Sequence, residues 1–489
     1  MNSQLHLPWL ELSIACPIIA AFVCGQVRNE ALSRRIALIA SLLTFLLTFG
    51  EWFDFTTLDT FSAQDSNSVV FLLFGTEYFA IDELTAPLIF RITLLFGLTI
   101  AATMRSKASR FSVVRTLLAK GIVLAMLSCS STMVLCLLLA ISAILPWYEM
   151  RLRGRDTSLF TLCMSLHLGL MFVGTNLLWL GQDRPILTNL AAGLLVLSAM
   201  LRAGIFPGHL WIVDLFEKCT FGTAILFVAP LTGAYFVMRL VLPVVPIWAL
   251  QGIAVLALLT ALYAATMAMV QSEARRFFAY LFISQSSIVL AGLELANPIG
   301  MTGALCIWLE IGLSLGGLAI TLRAVEARIG RISLEQYNGL FDHMPHLGSL
   351  FLFTGLASIG FPCGLAFVGI ELLIEGTVAV YPLVGAILVL ATAINGMAVL
   401  RAYFRIFTGT RHVATVSIAA RPVERFVTVT LSLMILVVGV WPSSVVHSRY
   451  HAAESLLRIR QETGIDRGTT PLGSGSNSNQ DDHVKPTDH

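Results

Sequence analysis

The stretch Met200-Leu-Arg-Ala-Gly-Ile-Phe-Pro-Gly-His-Leu-Trp-Ile-Val-Asp-Leu-Phe-Glu-Lys-Cys-Thr220 separates two long apolar regions of the chain. A cation near the end of a membrane helix, such as Arg202, is costly unless it faces the protein interior, is paired or reaches water. Gly204 and Pro207 predict a helix break at the same place, and broken membrane helices are tolerated where the freed backbone lines a cavity. The stretch is therefore a candidate functional region; a cytoplasmic helix end with solvated charges is the alternative.

The composition around this stretch is that of an integral membrane protein. Of the 489 residues, 56% are hydrophobic and 12% are charged, whereas soluble domains carry about 25% charged residues. Apolar runs of about 20 residues recur along nearly the whole chain, which predicts an all-α polytopic protein rather than a β-barrel. The net charge of +2 gives no indication of nucleic-acid binding.

The apolar runs predict about fourteen transmembrane helices, with the region 113–148 divided into two short helices near Ser130 and Ser131. Basic residues cluster in the loops after odd-numbered spans, so these loops are expected in the cytoplasm and both termini outside it. The protein is then a multi-pass protein of the inner (cytoplasmic) membrane. The six basic loops contain Arg28, Arg34 and Arg35; Arg105, Lys107 and Arg110; Arg151, Arg153 and Arg155; Arg275 and Arg276; Arg323, Arg328 and Arg331; and Arg405, Arg411, Arg421 and Arg425.

Three regions are expected along the chain: two helices and an extracytoplasmic loop at 1–78, a core at 79–443, and a polar, disordered tail at 444–489. The eight cysteines are scattered without a CxxC pair and are expected to be small buried hydrophobes. The sequence contains no phosphate-binding loop, dinucleotide fingerprint or haem-type histidine pair. We therefore expect no cofactor, no metal, and no redox or hydrolytic site of its own.

Several polar side chains interrupt the predicted spans. Glu310 lies in the middle of one span, where a carboxyl group must be paired or protonated; a proton relay and a structural carboxylic acid are equally compatible. Gln285 lies in a Ser-Gln-Ser-Ser patch that can pack helices or line a chain of waters. Pro362 and its flanking glycines predict a second broken helix, and Glu371 and Arg401 follow it.

Two broken helices in the two halves are typical of transporters built from repeats. The ionisable and polar residues near them form a predicted proton or ion pathway. Its candidate members are Arg202, His209, Asp214, Glu217, Gln285, Glu310, Glu371 and Arg401.

Five blocks, in order, carry a resemblance to a known family. They are Phe79–Pro87, Phe206-Pro-Gly-His-Leu-Trp211 with Asp214 and Glu217, Gln271–Gln285, Leu356–Pro362 with Phe367–Gly369, and Arg401–Gly409. They resemble the antiporter-like membrane subunits of NADH:quinone oxidoreductase (complex I) and of Mrp-type antiporters, over about Phe79 to Pro442. The resemblance implies fourteen core helices in two inverted five-helix repeats, broken near Pro207 and Pro362. It also implies proton movement along a mid-membrane row of lysines, histidines and a glutamate.

The sequence departs from this family at the expected ionisable positions. A glutamate is expected near Ile141 or Ser142 and is absent, and Arg202 takes the place of a lysine. Arginine stays protonated in proteins, so Arg202 can stabilise anions or water but is a poor proton carrier. The remaining expected lysines or histidines are replaced by Phe227 and Leu231, by Gln285, and by Ile311 and Leu315; Arg401 is the nearest charge in the later part of the chain.

Three functions remain open at this point. The first is a proton-translocating subunit of a larger complex, at most one chain of an NADH:quinone oxidoreductase-type translocase, with other membrane subunits as partners. The second is a non-conducting scaffold that docks a soluble partner, such as an inorganic-carbon uptake or redox component; the missing glutamate and the replaced lysine favour it. The spacing of Asp214 and Glu217 resembles the family branch shared by the distal complex I subunit, the large Mrp subunit and the membrane partner of inorganic-carbon uptake complexes. The third, and weakest, is a free-standing Na⁺/H⁺ antiporter.

Overall fold

The computed structural model describes residues 3–462 apart from 59, 67, 69, 71, 73–77, 104–110, 182–183, 379–380 and 411–418. Within these residues the chain is mostly helical, and eleven helical segments are long and apolar enough to cross a membrane. One of these segments, Phe221–Val241, consists of two short α-helices and a π-helical turn at Val237–Val241. The helices are α1 (Trp9–Gln26), α2 (Glu30–Thr57), α3 (Ala86–Ala102), α4 (Val113–Leu127), α5 (Thr132–Leu152), α6 (Ser158–Leu180), α7 (Pro185–Ala203), α8 (Leu210–Lys218), α9 (Phe221–Val228), α10 (Thr232–Phe236), α11 (Ile247–Val270), α12 (Ala274–Glu294), α13 (Pro298–Ile329), α14 (Pro345–Ser358), α15 (Leu365–Val378), α16 (Pro382–Phe407), α17 (Pro422–Val440) and α18 (Pro442–Glu462).

Two helices form the centre of the bundle. The most apolar stretches of α12 and α13 are completely buried, whereas only 33% of the corresponding residues in α2, α6 and α17 are buried. The outer helices direct large apolar side chains outward: Phe22, Ile39 and Leu383 are 70%, 68% and 72% exposed. Apolar side chains on the outer surface are expected where the solvent is lipid.

The two predicted helix breaks are confirmed. α7 ends at Ala203, and Gly204 follows with a positive φ of 73°, a conformation that glycine adopts without steric cost. The Phe206–Pro207 peptide bond is cis, and α8 begins at Leu210. In the second half, α14 ends at Ser358 and α15 begins at Leu365.

A third break was not predicted. α9 ends at Val228 and α10 begins at Thr232, with Leu231 between them at a φ of 51°. The predicted division of 113–148 is confirmed, because α4 ends at Leu127 and α5 begins at Thr132. The total of fourteen spans and the inverted repeats stay predictions.

The N-terminal segment is held by a small sheet. β1 (Ser3–Leu5) pairs in parallel with β2 (Ser62–Asp65), and β2 pairs antiparallel with β3 (Ile81–Asp82). Asp65 accepts hydrogen bonds from the backbone N–H groups of Leu10 and Glu11, at 3.1 and 2.9 Å, and so caps the start of α1. The loop after α2 is therefore anchored to the first helix of the bundle.

Five of the six predicted basic loops lie at one end of the bundle, which we call the basic face. The loops are joined there by pairs such as Arg275 with Glu326 and Arg328 with Glu424, each 2.5 Å apart. The other residues that place the loops at this face are Arg34, Arg153, Arg155, Arg323, Arg331, Arg405 and Arg421. Arg105, Lys107, Arg110 and Arg411 lie outside the described residues.

The prediction of a disordered tail from residue 444 is wrong as far as Glu462, because these residues form α18. This helix is too polar to be a candidate membrane span. Two of its arginine side chains are nevertheless buried. Arg449 donates to the carbonyl groups of Glu83 and Leu84. Arg460 donates to those of Leu242 and Val245, at 2.7 and 2.8 Å. These bonds hold α18 against the end of the bundle opposite the basic face; residues 463–489 lie outside the described residues.

Candidate functional site

Arg202 is buried at the C-terminal end of α7, next to the first helix break. Its Nε donates a hydrogen bond to Thr232 Oγ1 at 3.0 Å, and its guanidinium lies over the ring of Phe227, 4.4 Å from the centroid. The ring of Trp211 lies at 5.7 Å. Hydroxyl and aromatic groups therefore hold this cation, and cation–π contacts of this kind strengthen where water is excluded.

A cavity of about 20 Å³ adjoins Arg202. Thr232 and Ser286 line it, and Nη2 of Arg202 has no hydrogen-bond partner among the described atoms. About 10–15 Å³ is enough for one water molecule that has polar neighbours. The cavity is thus suited to a water that Arg202 would orient.

Arg91 on α3 is a second buried cation, which we did not single out from the sequence. Nη1 donates to the carbonyl oxygen of Trp308 at 2.5 Å, and Nη2 lies 3.4 Å from that of Ala229. It packs directly on Gly312, where a Cβ would overlap the guanidinium. Arg91 thus joins the break between α9 and α10 to the middle of α13.

Arg202 and Arg91 approach the same helix break from two sides. Arg202 contacts Thr232 at the start of α10, and Arg91 contacts Ala229 just after α9. A break in a helix leaves carbonyl groups without their usual partners. Two positively charged side chains therefore lie at one helix break in the interior of the bundle.

Glu310 is fully buried in the middle of α13 and faces the second predicted break. Gly364 directly precedes the first residue of α15, and a Cβ atom built on it would lie 3.4 Å from Oε1 of Glu310. The N-terminus of a helix favours negative charge. The start of α15 thus lies beside the carboxyl group of Glu310, whose two oxygens have no hydrogen-bond partner among the described atoms.

Arg91 and Glu310 do not form an ion pair among the described contacts. Arg91 packs against the side of α13 that carries Gly312, whereas Glu310 faces Gly364. We call Arg202, Arg91 and Glu310, together with the break between α9 and α10 and the break between α14 and α15, the buried polar line. The backbone of α13 lies between its two ends, so any proton transfer along it needs water or movement.

Gln285 and the neighbouring serines are buried in α12 but face different helices. Ser284 donates to the carbonyl oxygen of Ala261 and accepts from Asn395 Nδ2, both at 2.8 Å. Ser286 lines the cavity beside Arg202. Nε2 of Gln285 and Oγ of Ser287 have no hydrogen-bond partner among the described atoms. Ser284 thus joins α12 to α11 and α16, and Ser286 borders the cavity beside Arg202.

Asp214 and Glu217 lie on α8 near the basic face, away from the buried polar line. Asp214 pairs with Lys218 at 2.6 Å, and Glu217 pairs with Arg276. Lys218 also approaches Asp156, at 3.5 Å, in the loop after α5. The backbone N–H and the hydroxyl of Ser158 donate to Asp156 and lower the pKa of its carboxyl group, so that it is ionised at this face.

His209, Glu371 and Arg401 also lie apart from the line. His209 is buried in the first break and packs against Tyr263, with a distance of 5.3 Å between the two ring centroids. Neither ring nitrogen of His209 has a hydrogen-bond partner among the described atoms.

Glu371 is exposed on the outer surface of α15. Arg401 donates to the carbonyl groups of Met269 and Gln271, which terminate α11. Cations commonly bind the free carbonyls at a helix C-terminus.

Glu149 on α5 is a further residue that the sequence reasoning missed. It accepts hydrogen bonds from the N–H of Thr220 at 2.8 Å and the hydroxyl of Thr223 at 2.6 Å. It shares a cavity of about 40 Å³ with Ser142, seven residues earlier, where the family resemblance led us to expect an acid. Phe227 borders both this cavity and the one beside Arg202. The side chain of Phe227 is therefore common to the linings of the two cavities.

Two other buried ionisable side chains were also missed. Lys120 is fully buried on α4, with Nζ 3.4 Å from the carbonyl oxygen of Ser41. His167 on α6 is 2.8 Å from the hydroxyl of Ser198 through Nδ1. Each of these side chains interrupts an apolar run in the sequence, and this interruption was the signal that could have identified it.

In the part of the chain that the structure describes, no group of three or more His, Cys, Asp or Glu side chains is arranged to hold a metal ion.

Comparison with known proteins decides the family. The transmembrane family described as "NADH:quinone oxidoreductase/Mrp antiporter, TM" matches residues 90–395, more than half of the chain. The chain belongs to this family. The recognition made from the five sequence blocks is thereby confirmed.

Two relatives and one solved structure illustrate the similarity. NADH-quinone oxidoreductase subunit M of Mycobacterium tuberculosis (strain ATCC 25618 / H37Rv) is 26% identical over 283 residues, 57% of this chain and 51% of the relative, so the chain spans about half the length of this relative. NADH-ubiquinone oxidoreductase chain 4 of Chondrus crispus is 25% identical over 498 residues, 95% of this chain and 100% of the relative. A chain of respiratory complex I from Thermus thermophilus with bound NADH matches with a TM-score of 0.81 at 20% identity, covering 92% of this chain and 99% of that one. The predicted polytopic helical membrane fold is confirmed.

Proposed function

We propose that the chain is a proton-translocating, antiporter-like membrane subunit of a multi-subunit complex related to complex I and Mrp antiporters. The observation that carries this proposal is the buried polar line. Arg202 and Arg91 converge on one helix break, and Glu310 faces another, all in the bundle interior. Ionisable groups at such depth are costly and mark ion or proton pathways.

The residues of the line have different roles in this proposal. Glu310 accepts and releases the proton, since its carboxyl group can titrate where an arginine cannot. Arg202 and Arg91 stay charged; Arg202 orients the water in its cavity, and both set the potential that an arriving proton meets. Glu149 receives protons from the basic face, because it lies between that face and the cavity that it shares with Ser142. Movement of Phe227 would join this cavity to the one at Arg202.

Proton uptake into proteoliposomes that contain the assembled complex tests this function. We expect Arg202→Ala to lower uptake at least about tenfold, because removal of one preorganised charge in a buried site costs more than about 1.4 kcal/mol. Glu310→Gln is expected to lower it further. Assembly of each variant is checked by size-exclusion chromatography. Unchanged uptake in both variants would rule out the function.

The outer surface of α15 is proposed as a contact with a neighbouring membrane subunit. Glu371 and Glu375 lie one turn apart on this helix, and both are exposed. α15 packs closely on the first half of α13, where Gly369 contacts Gly303, so Glu371 lies within the thickness of the bundle. A carboxylate that faces lipid is costly, and a basic residue on an adjacent membrane helix would neutralise it.

Reversal of this charge should weaken the complex. We expect Glu371→Lys to reduce the amount of partner membrane subunits that copurify about tenfold, which corresponds to about 1.4 kcal/mol of binding free energy. Glu454→Lys, an exposed carboxylate on α18, is the control and should leave copurification unchanged. Full copurification with Glu371→Lys would place the subunit contact on another face.

A non-conducting scaffold that docks a soluble partner, such as an inorganic-carbon uptake or redox component, is the second candidate function. It is favoured by the separation of Arg91 and Glu310 on different sides of α13 and by a cavity at Arg202 that fits a single water. It requires that a soluble protein copurifies in mild detergent and that Arg202→Ala leaves the partner's activity intact. The proteoliposome assay therefore separates the two functions.

We further propose that the protein lies in the inner membrane with its basic face in the cytoplasm. The collection of five basic loops at one end supports this orientation, because positive loops remain on the cytoplasmic side. β1 and α18 both lie near the opposite end, where Arg458 of α18 lies 5.0 Å from the ring of Phe61. The N-terminus and the described end of the chain are thus expected outside the cytoplasm.

A further inference from the structure

A cleft of about 680 Å³ opens at the basic face between the ends of α2, α3 and α17. Its lining includes three cations, Arg34, Arg35 and Arg421, and the apolar side chains Leu38 and Val423. Arg35 and Arg421 are exposed, and Arg34 donates to the carbonyl oxygen of Ala101 at 2.9 Å. The cleft therefore combines a positively charged rim with an apolar wall.

The two carboxylates in the cleft do not balance these cations. Glu424 is buried in a bidentate pair with Arg328, whose Nη1 and Nη2 lie 3.2 and 2.5 Å from its oxygens. Arg328 does not line the cleft, so Glu424 is neutralised from outside it. Glu30 is exposed at the start of α2. The cleft keeps a net positive charge.

The apolar side of the cleft continues into the membrane-facing surface. Below the cleft, α2 exposes Ile39 and Leu42, at 68% and 60%, and α17 exposes Phe426 at 66%. An occupant that matches both parts must carry an anionic group at the membrane surface and a hydrocarbon chain below it. Basic sites between transmembrane helices on the cytoplasmic side commonly bind lipid headgroups of this kind.

We propose that this cleft binds an anionic phospholipid. Arg35 and Arg421 hold the phosphate, since the planar guanidinium donates two parallel hydrogen bonds to phosphate oxygens. The acyl chain lies along Leu38 and Val423. The lipid joins α2, the second helix of the chain, to α17, the last but one of the described helices, across the end of α3. This site is independent of the proton pathway and does not rest on the proposed function.

A neighbouring cavity of about 250 Å³ extends the positive surface. It shares Ala102, Thr103 and Glu424 with the cleft and adds Arg155 and Arg323. Arg323 donates to Thr103 Oγ1 at 2.8 Å and lies over the ring of Phe111, 4.5 Å from the centroid. The cavity gives a large or doubly charged headgroup room to spread beyond Arg35 and Arg421.

The test measures binding of short-chain phosphatidylglycerol to the delipidated full chain in a zwitterionic detergent, with phosphatidylcholine and inorganic phosphate as competing probes. Each arginine near a charged lipid contributes roughly a factor of five to affinity, so R35Q/R421Q should bind phosphatidylglycerol about 25-fold more weakly. R458Q, which removes an exposed arginine of α18 at the opposite end of the bundle, is the control and should bind as the wild type does.

Each other outcome would overturn the proposal. Equal binding of phosphatidylcholine would show that charge does not select the occupant. Displacement of the lipid by inorganic phosphate at equal concentration would show an anion site without a role for the acyl chain. Unchanged phosphatidylglycerol affinity in R35Q/R421Q, with a monodisperse elution profile, would show that the lipid binds elsewhere.

Discussion

Proton uptake through the assembled complex should fall at least about 100-fold when Glu310 is replaced by glutamine, because a positioned acid–base group contributes about 10²–10⁴ in rate. Glutamine keeps the shape of the side chain but cannot release a proton. It also still fits against Gly364 at the start of α15. The measurement is the initial rate of acidification-dependent dye quenching in proteoliposomes at matched protein content.

Glu51→Gln provides the control for this experiment. Glu51 is a fully buried glutamate on α2, as Glu310 is on α13, but it lies outside the buried polar line. The substitution therefore tests whether loss of any buried carboxyl group impairs the complex. Uptake by Glu51→Gln should stay near the wild-type rate. An equal loss in both variants would assign the effect to folding or assembly and would remove Glu310 from the pathway.

The main features of the fold could be predicted because membrane helices leave local marks in the sequence. Gly204 and Pro207 lie at the first break, and Gly360 and Pro362 lie at the second. Each pair works through backbone conformation, which depends on the residue itself and its neighbours. Arg202 and Glu310 could also be identified, since a charge in an apolar run stands out whatever its partners are.

The partners of these charges could not be predicted, because they come from distant parts of the chain. Arg91 is 217 residues away from Trp308, whose carbonyl group it contacts. Asp214 and Glu217 were assigned to the pathway from their closeness to the first break. Their depth depends on Lys218 and Arg276, which pair with them near the basic face. A single sequence does not show which end of a short helix lies deeper in the membrane.

The disordered tail was predicted from polarity, and polarity alone cannot distinguish a solvated chain from a helix at the membrane surface. α18 illustrates the difference, because Arg449 and Arg460 bury their side chains among backbone carbonyl groups. Burial of an arginine in this way requires free carbonyls at the ends of other elements. These carbonyl groups come together around the arginine side chains only after the bundle has formed.

The second large effect is expected at the crossing of α13 and α15. A Cβ built on Gly303 would lie 2.5 Å from the carbonyl oxygen of Gly369 and 2.6 Å from the backbone nitrogen of Leu373. Both are backbone atoms, so neither can rotate away as a side chain can. Small residues at helix crossings allow such close approach in membrane proteins. Gly303→Ala must therefore displace α15 as a whole.

We expect Gly303→Ala to lower the free energy of unfolding in mild detergent by about 3 kcal/mol, the upper end of the usual cost of overpacking. Gly252→Ala on α11 is the matched control, because a Cβ there meets no atom within 4 Å. In that open helical position alanine should stabilise the protein by up to about 1 kcal/mol. Equal unfolding midpoints for the two variants would mean that α13 and α15 are not in backbone contact.

Comparison of Gly303→Ala with Glu310→Gln separates packing from proton chemistry. The N-terminus of α15 lies beside Glu310, so displacement of α15 by Gly303→Ala moves the backbone that faces the carboxyl group. Proton uptake should then fall together with stability in Gly303→Ala. In Glu310→Gln, uptake should fall while the unfolding midpoint stays at or above that of the wild type, because a neutral amide replaces a buried acid. If Gly303→Ala lost stability but kept full uptake, the position of α15 would not matter to Glu310, and the second helix break would serve the fold alone.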